Sequence, residues 1–331
     1  MSHIAVFGAG SWGTAFATIL GHGGNDVRVW GRRPELVAQL NSGVNEDYLP
    51  GVQLPSSISA STNPAEVADG AEIVILSVPS QSLRANLDAW GPLLDGKIVV
   101  SLMKGIELGT TKRMSEVIHE VAGVPVDRIA VVSGPNLAKE IVQRQPAASV
   151  VACPDLDVAD TVAAACSTSF FRPYTSADVV GAELGGAVKN VIALAVGMAS
   201  GLGFGDNTKA TIITRGLAET TRLAMALGAD PRTMSGLAGV GDLIATCMSP
   251  LSRNHSFGVK LGEGMSVAEV AEQTKQTAEG VKSCASILDL ARAHGVDVPI
   301  TEQVNRVVHE GVSPQDMVQV LLSRARKHET E

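Results

Sequence analysis

The residues that most restrict this chain are Gly8, Ala9, Gly10, Ser11, Trp12 and Gly13, which follow the apolar run HIAVF and precede TAFATIL. This is a GxGxxG turn between a strand and a helix. Gly8 permits the tight turn, Gly10 lets the backbone approach a pyrophosphate, and Gly13 allows the helix to pack closely on the strand. The free N–H groups of the helix N-terminus face the phosphates. A dinucleotide-binding unit of this kind needs a mostly parallel sheet around it. The chain supplies one in DVRVW, AEIVILSVP, KIVVSLMKG, RIAVVSGP and ASVVAC, each separated by a helical pattern, with FFRPYTS at 170–176 as a closing strand. From about Val179 the strand rhythm stops and helical segments follow: the apolar run around Lys189, TKATIITRGLAETTRLAMALG, SVAEVAEQ and a closing stretch through Arg324. The expected organisation is a Rossmann-type nucleotide-binding domain over 1–178 and an all-α domain over 179–331, with a ligand cleft between them.

Composition narrows the function. With 331 residues, 45% apolar and 18% charged, the chain has enough apolar material for two packed cores and too few charges for disorder. A net charge of −8 argues against nucleic acid or an anionic membrane as partner, so an anionic substrate needs a local cationic pocket. Cys153, Cys166, Cys247 and Cys284 show no CxxC spacing and read as reduced, buried thiols, with no metal site expected. The N-terminus enters a strand at once, without a leader pattern. The stretch around Ile192 to Met198, broken by Lys189 and Asn190, reads as a core helix and not a membrane span.

At the cofactor end, the position after the second strand where an NAD-selective site carries an acid holds Trp30, Gly31, Arg32 and Arg33. Two guanidiniums there favour a 2′-phosphate and can stack on adenine, so NADP(H) is expected to be accepted, with NAD(H) left open. At the chemistry end, Lys189 lies in GAELGGAVKNVIALAVGMAS, a helix apolar nearly all round. A buried lysine is paired, reaches water past the small Gly185, Gly186 and Ala187, or keeps a depressed pKa for proton transfer. Lys104, at the carboxyl end of a strand, would depress that pKa further if the two converge. Asn190 is placed to orient a substrate oxygen. The turn at Gly134, Pro135 and Asn136 precedes a helix, Asp242 is flanked by glycine, and Thr246 follows it by one helical turn. The cluster Ser252, Arg253, Asn254 suits a phosphate group. Glu279 either reaches ribose hydroxyls or caps a helix, and Arg215 with Glu219 reads as an i,i+4 helix ion pair.

Taken together and in order, GAGSWGTAFA, SVPSQ, SLMKGIE, SGPNLAKEI, ELGGAVKNVIAL, TKATIITRGLAE, GLAGVGDLIATC, SPLSRN and AEGVKS resemble the bacterial-type NAD(P)-dependent glycerol-3-phosphate dehydrogenase family over almost the whole chain. The resemblance implies a 6-phosphogluconate-dehydrogenase-like architecture. It also implies reversible conversion of sn-glycerol 3-phosphate to dihydroxyacetone phosphate, supplying glycerophospholipid synthesis in the cytoplasm. By motif, Lys189 matches the proton-accepting lysine, with Lys104, Asn190 and Asp242 beside it. Lys104, Gly134, Asn136, Lys189, Asp242, Ser252, Arg253 and Asn254 match substrate-contacting positions. Gly8, Gly10, Ser11, Trp12, Gly13, Arg32, Arg33, Lys104, Ala138, Arg253 and Glu279 are the expected cofactor-contacting set. Many relatives carry Ser or Thr where this chain has Asn136, which turns a hydroxyl contact into an amide contact. A ketoacid or hydroxyacid reductase of the same architecture and a non-catalytic cofactor sensor are the competing readings. A homodimer is expected on base rate alone.

Overall fold

The computed structural model describes residues 2–273, 278–324 and 328; the far C-terminal end of the expected helical half, at 325–327 and 329–331, lies outside them. One eight-stranded sheet has the order β3-β2-β1-β4-β5-β6-β7-β8. The strands are β1 (His3–Phe7), β2 (Asp26–Trp30), β3 (Ile58–Ser61), β4 (Ile73–Leu76), β5 (Ile98–Ser101), β6 (Ile129–Ser133), β7 (Ala147–Ala152) and β8 (Phe171–Ser176). The first six pair in parallel; β7 runs antiparallel to β6, and β8 parallel to β7. The reversal at β7 has a simple cause. Only the short helix Ala138–Val142 lies between β6 and β7, whereas a parallel return needs a full crossover. The strand β3 is absent from the sequence reading: ISAS offers one buried apolar anchor, Ile58, and pairs only at the sheet edge.

Alternation along β1 builds two cores. Ile4 and Val6 join Phe16, Ile19 and Phe171 on one face of the sheet, while Ala5 and Phe7 join Leu87, Trp90 and Ile118 on the other. Strands covered on both faces read as continuous apolar runs, and every residue of β4 and β5 is buried.

Beyond β8 the chain enters a 23-residue helix, Val179–Gly201, buried at every position from Gly181 to Ala199. It is long and apolar enough to cross a membrane, yet 89% of that stretch is packed inside the protein, so it is the core of the helical half. A buried ion pair ties it to the sheet half. Glu183 accepts from the Ser115 N–H, from Ser115 Oγ at 2.6 Å and from Arg113 at 2.7 Å. The expected pairing of Arg215 with Glu219 is not what holds Glu219: its carboxylate turns inward and accepts from the N–H groups of Ile300 and Thr301 and from the Thr301 hydroxyl. These bonds cap the helix Pro299–Glu310, whose first N–H groups would otherwise be buried unpaired. The four cysteines are free and buried.

The helix Arg253–Gly262 lies against the central helix at unusually short range. A Cβ at Gly197 would sit 2.2 Å from the His255 carbonyl oxygen, and one at Gly258 would sit 2.3 Å from that of Leu194. The two backbones therefore touch where side chains normally stand, and this contact sets Arg253 and Asn254 beside Lys189 and Asn190. Gly258→Ala is expected to force the helices apart, lowering stability by about 1–3 kcal/mol in urea unfolding. A variant matching the parent would show that the contact does not hold the two helices in place.

Candidate active site

The carboxyl ends of the parallel strands and the helical half enclose a cleft of about 860 Å³. Its floor at the β1 end is the glycine turn. Gly8 adopts φ +127°, and a Cβ there would lie 2.2 Å from the Ser77 carbonyl oxygen, so only glycine fits. Gly13 is equally tight, 2.0 Å from the Gly8 carbonyl oxygen, while nothing lies within 4 Å of the same position at Gly10. The helix Ser11–His22 starts there with no side-chain cap and no acid in its first turn. Its free N–H groups thus remain available to a diphosphate, and Trp12 Nε1 is buried with no partner. The residues present fit a dinucleotide. At the adenosine end Arg33 is held by Asp47 at 2.5 Å, whereas Arg32 has no ion partner among the described residues. Tyr48 and Leu36 also line this part of the cleft.

The reactive end is built on Asp242, which is fully buried at the start of the helix Asp242–Met248. One carboxylate oxygen accepts from Lys104 Nζ at 2.8 Å and the other from Lys189 Nζ. Thr246, one turn on, accepts from Lys189 at 2.7 Å and donates to Asp242 at 3.3 Å. Lys104 also donates to the Gly134 carbonyl at 2.9 Å. Two ammonium groups thus share one carboxylate, leaving an excess of positive charge. Burial, and then the facing Lys104, pull the Lys189 ammonium down to about 7 against the opposing attraction of Asp242. Of the alternatives open for this lysine, a route to water past Gly185 and Gly186 is ruled out: it is 7% exposed, and its ammonium turns to Asp242 and Thr246.

Beside the lysines, Ser252 caps the helix Arg253–Gly262 by accepting from the His255 N–H. The SRN cluster is therefore the first turn of a helix, with Arg253 projecting from it into the cleft and burial lowering the pKa of its guanidinium. Asn254 donates to the Asn190 amide oxygen at 2.9 Å and accepts from the Gly280 N–H at 2.9 Å. Asn190 in turn donates to the Lys104 carbonyl. These amides brace the cleft wall, and the oxygen of Asn190 is already occupied. Asn136 Oδ1 is bonded to Ser149 at 2.8 Å, and its Nδ2 is buried without a partner.

All the residues expected to be catalytic or to contact substrate or cofactor line this cleft except Gly134 and Asp242, which stand behind it and hold Lys104 in place. Tyr48, Ser80, Lys139 and Lys260 were missed as parts of this region. Tyr48 and Lys260 lie in ordinary polar contexts that carry no motif. A second cavity of about 1050 Å³ surrounds Arg113, Asp178 and Arg232. Its guanidiniums are already paired, Arg113 with Glu183 and Glu116 and Arg232 with Asp230.

A Rossmann-type sheet opening on a lysine-lined cleft defines a pyridine-nucleotide-dependent dehydrogenase. Residues 3–159 match the family model for the NAD-dependent glycerol-3-phosphate dehydrogenase N-terminus, and residues 178–319 match that for its C-terminus. The chain belongs to the glycerol-3-phosphate dehydrogenase family. It is 64% identical to the glycerol-3-phosphate dehydrogenase [NAD(P)+] of Streptomyces griseus, over 98% of this chain and 97% of that protein. The Thermobifida fusca protein of the same name is 59% identical over 99% of each. The crystal structure of glycerol-3-phosphate dehydrogenase from Coxiella burnetii superposes with a TM-score of 0.93 at 36% identity, covering 98% of this chain and 99% of that one. A ketopantoate reductase from Ralstonia eutropha, at 17% identity and a TM-score of 0.60, covering 95% of this chain and 99% of that one, shares the fold alone.

The lysine pair gives a direct titration test. With lysine Nζ labelled by ¹⁵N, one ammonium should titrate near pH 7 and be missing in Lys189→Met. In Lys104→Met it should move to higher pH, because a like charge is gone and Asp242 is left to Lys189 alone. If no lysine titrated below about pH 9, the ordinary value being about 10.4, the coupling described here would be wrong.

Proposed function

We propose that this chain catalyses the reversible NAD(P)-dependent interconversion of sn-glycerol 3-phosphate and dihydroxyacetone phosphate. The observation that carries this reading is the Lys104–Asp242–Lys189 cluster, set beside the helix-borne Arg253 and across the cleft from the Gly8–Gly13 turn. The bound nicotinamide supplies or takes the hydride at the secondary carbon. Lys189 exchanges the proton of the hydroxyl on that carbon, taking it as the neutral amine in oxidation and returning it as ammonium in reduction. An ammonium poised near neutrality serves both directions. Lys104 polarises the same oxygen, while Asp242 and Thr246 hold Lys189 in one rotamer. Arg253, with the first-turn N–H groups that follow Ser252, binds the phosphate. Asn136, whose Nδ2 is buried without a partner, offers an amide to the substrate, and Asn190 and Asn254 keep the wall in register.

For the cofactor, Gly8, Gly10, Ser11, Trp12, Gly13 and Ala138 surround the diphosphate end, and Glu279 serves a nucleotide hydroxyl. Arg32 is the guanidinium free to meet a 2′-phosphate, since Arg33 is engaged by Asp47. The sheet half at 1–178 acts as the nucleotide domain and 179–331 as the substrate domain. The product serves glycerophospholipid synthesis in the cytoplasm, and the working form is a homodimer without membrane insertion. The exposed Ile244 and Met248, one turn apart on a single helix, support association, which light scattering reads as a mass of twice 34.2 kDa.

Adding dihydroxyacetone phosphate with NADH or NADPH should deplete the reduced nicotinamide absorbance; no consumption with either would refute the reading. Lys189→Ala should lower kcat about 10²- to 10⁴-fold with little change in cofactor affinity, and near-normal turnover at saturation would remove Lys189 from proton transfer. Arg253→Ala should instead raise KM for the phosphorylated substrate about 10- to 100-fold. An unaltered KM would place the phosphate elsewhere.

A further inference from the structure

The helix Glu279–Ala293 meets the sheet half through a row of hydroxyls. Ser286 Oγ donates to the Ile106 carbonyl at 2.9 Å, and the Ser283 hydroxyl is buried on the same face without a partner. At the cleft end of this row, Ser80 Oγ donates to Glu279 Oε2 at 2.6 Å, linking residues 199 positions apart. Ser80 is 2% exposed, so the donor side of this part-buried, charge-assisted bond lies out of water. Gly105 makes room for it: a Cβ there would lie 2.4 Å from Ser80 Oγ. Glu279 lines the cofactor cleft, and its other oxygen, Oε1, has no partner among the described residues.

We propose that Ser80 is a positioning residue for the cofactor: by fixing one oxygen of Glu279 it turns the other into the cleft, ready to accept from a nucleotide hydroxyl. This rests on the reading of Glu279 as a cofactor contact. A serine hydroxyl has one proton, and here it goes to the carboxylate. The carboxylate is acceptor-only, so the free oxygen selects a hydroxyl donor on the ligand. Without Ser80 the Glu279 side chain regains rotamer freedom that must be lost again on binding. The bond also crosses from the sheet half to the helical half.

The test is a double-mutant cycle read by calorimetric titration of NADPH and NADH, with steady-state kinetics alongside. Ser80→Ala is expected to raise cofactor Kd and KM about fivefold, leave KM for dihydroxyacetone phosphate unchanged, and alter kcat at saturation less than twofold. Glu279→Ala should raise Kd by more, and Ser80→Ala should then add almost nothing. An unchanged Kd in Ser80→Ala, or an undiminished effect of that substitution in the Glu279→Ala background, overturns the proposal. If Glu279→Ala itself leaves Kd unchanged, the reading of Glu279 fails and the proposal falls with it. Ser80→Ala removes one buried oxygen and adds no atom, so its thermal unfolding should stay close to the parent's; a large loss of stability together with raised KM for both ligands would mark a structural role only and refute the positioning role.

Discussion

The carboxylate of Asp242 is the contact on which the rest of this cleft depends. Two ammonium groups drawn from elements 85 residues apart repel each other, and burial disfavours the charge on Lys189 unless a counter-charge is present. Asp242 supplies that charge from a third element, one oxygen to each lysine. With both lysines protonated, one negative charge answers two positive ones. With Arg253 on the same cleft, this local excess is a cationic pocket within a protein of net charge −8.

Such a cluster has to be held against its own repulsion, and small residues make that possible. Gly186 leaves space for the Lys104 stem, since a Cβ there would lie 3.3 Å from Lys104 Cγ. Gly185 lets the turn before Asp242 press on the central helix, with the Ala238 carbonyl oxygen 2.2 Å from where its Cβ would be. Gly197 and Gly258 do the same for the helix that carries Arg253. At Gly185, Gly197 and Gly258 a missing side chain lets a backbone come close, and at Gly186 it makes room for a side chain. The abundance of glycine in the helical half is therefore tied to the chemistry of the site, although glycine inside a helix costs about 1 kcal/mol relative to alanine.

Local pattern made much of this legible in the sequence. The glycine turn, the doubly covered strands and a lysine in an apolar helix are all signals confined to a few neighbouring residues, and each lies where its pattern placed it. Edge strand β3 was not legible, because a strand with one face and one edge in water needs only Ile58 as anchor. Pairings were not legible either. Nothing near Glu219 announces that its carboxylate caps a helix 81 residues away, and nothing near Arg33 announces Asp47 as its partner. The i,i+4 spacing with Arg215 pointed to a surface pair, but burial of Glu219 at 1% exposure turned it toward unpaired N–H groups, whose desolvation cost is larger than a surface ion pair is worth.

The same distinction separates residues that act from residues that support. Asp242 and Gly134 carry motif signals as strong as that of Lys189, and both stand behind the cleft surface. A motif marks which residues the chemistry requires and is silent on whether they touch the ligand. Burial and hydrogen-bond direction supply the missing information. Asp242 has both oxygens committed to lysines, so it faces the cleft only through them, and its charge makes Lys189 hold its proton more firmly. Asn190, whose oxygen is taken by Asn254, likewise acts by keeping Lys104 in place through that residue's backbone carbonyl. The cleft surface thus offers donors from Lys104, Lys189, Arg253 and the N–H groups of two helix starts, and one carboxylate acceptor, Glu279.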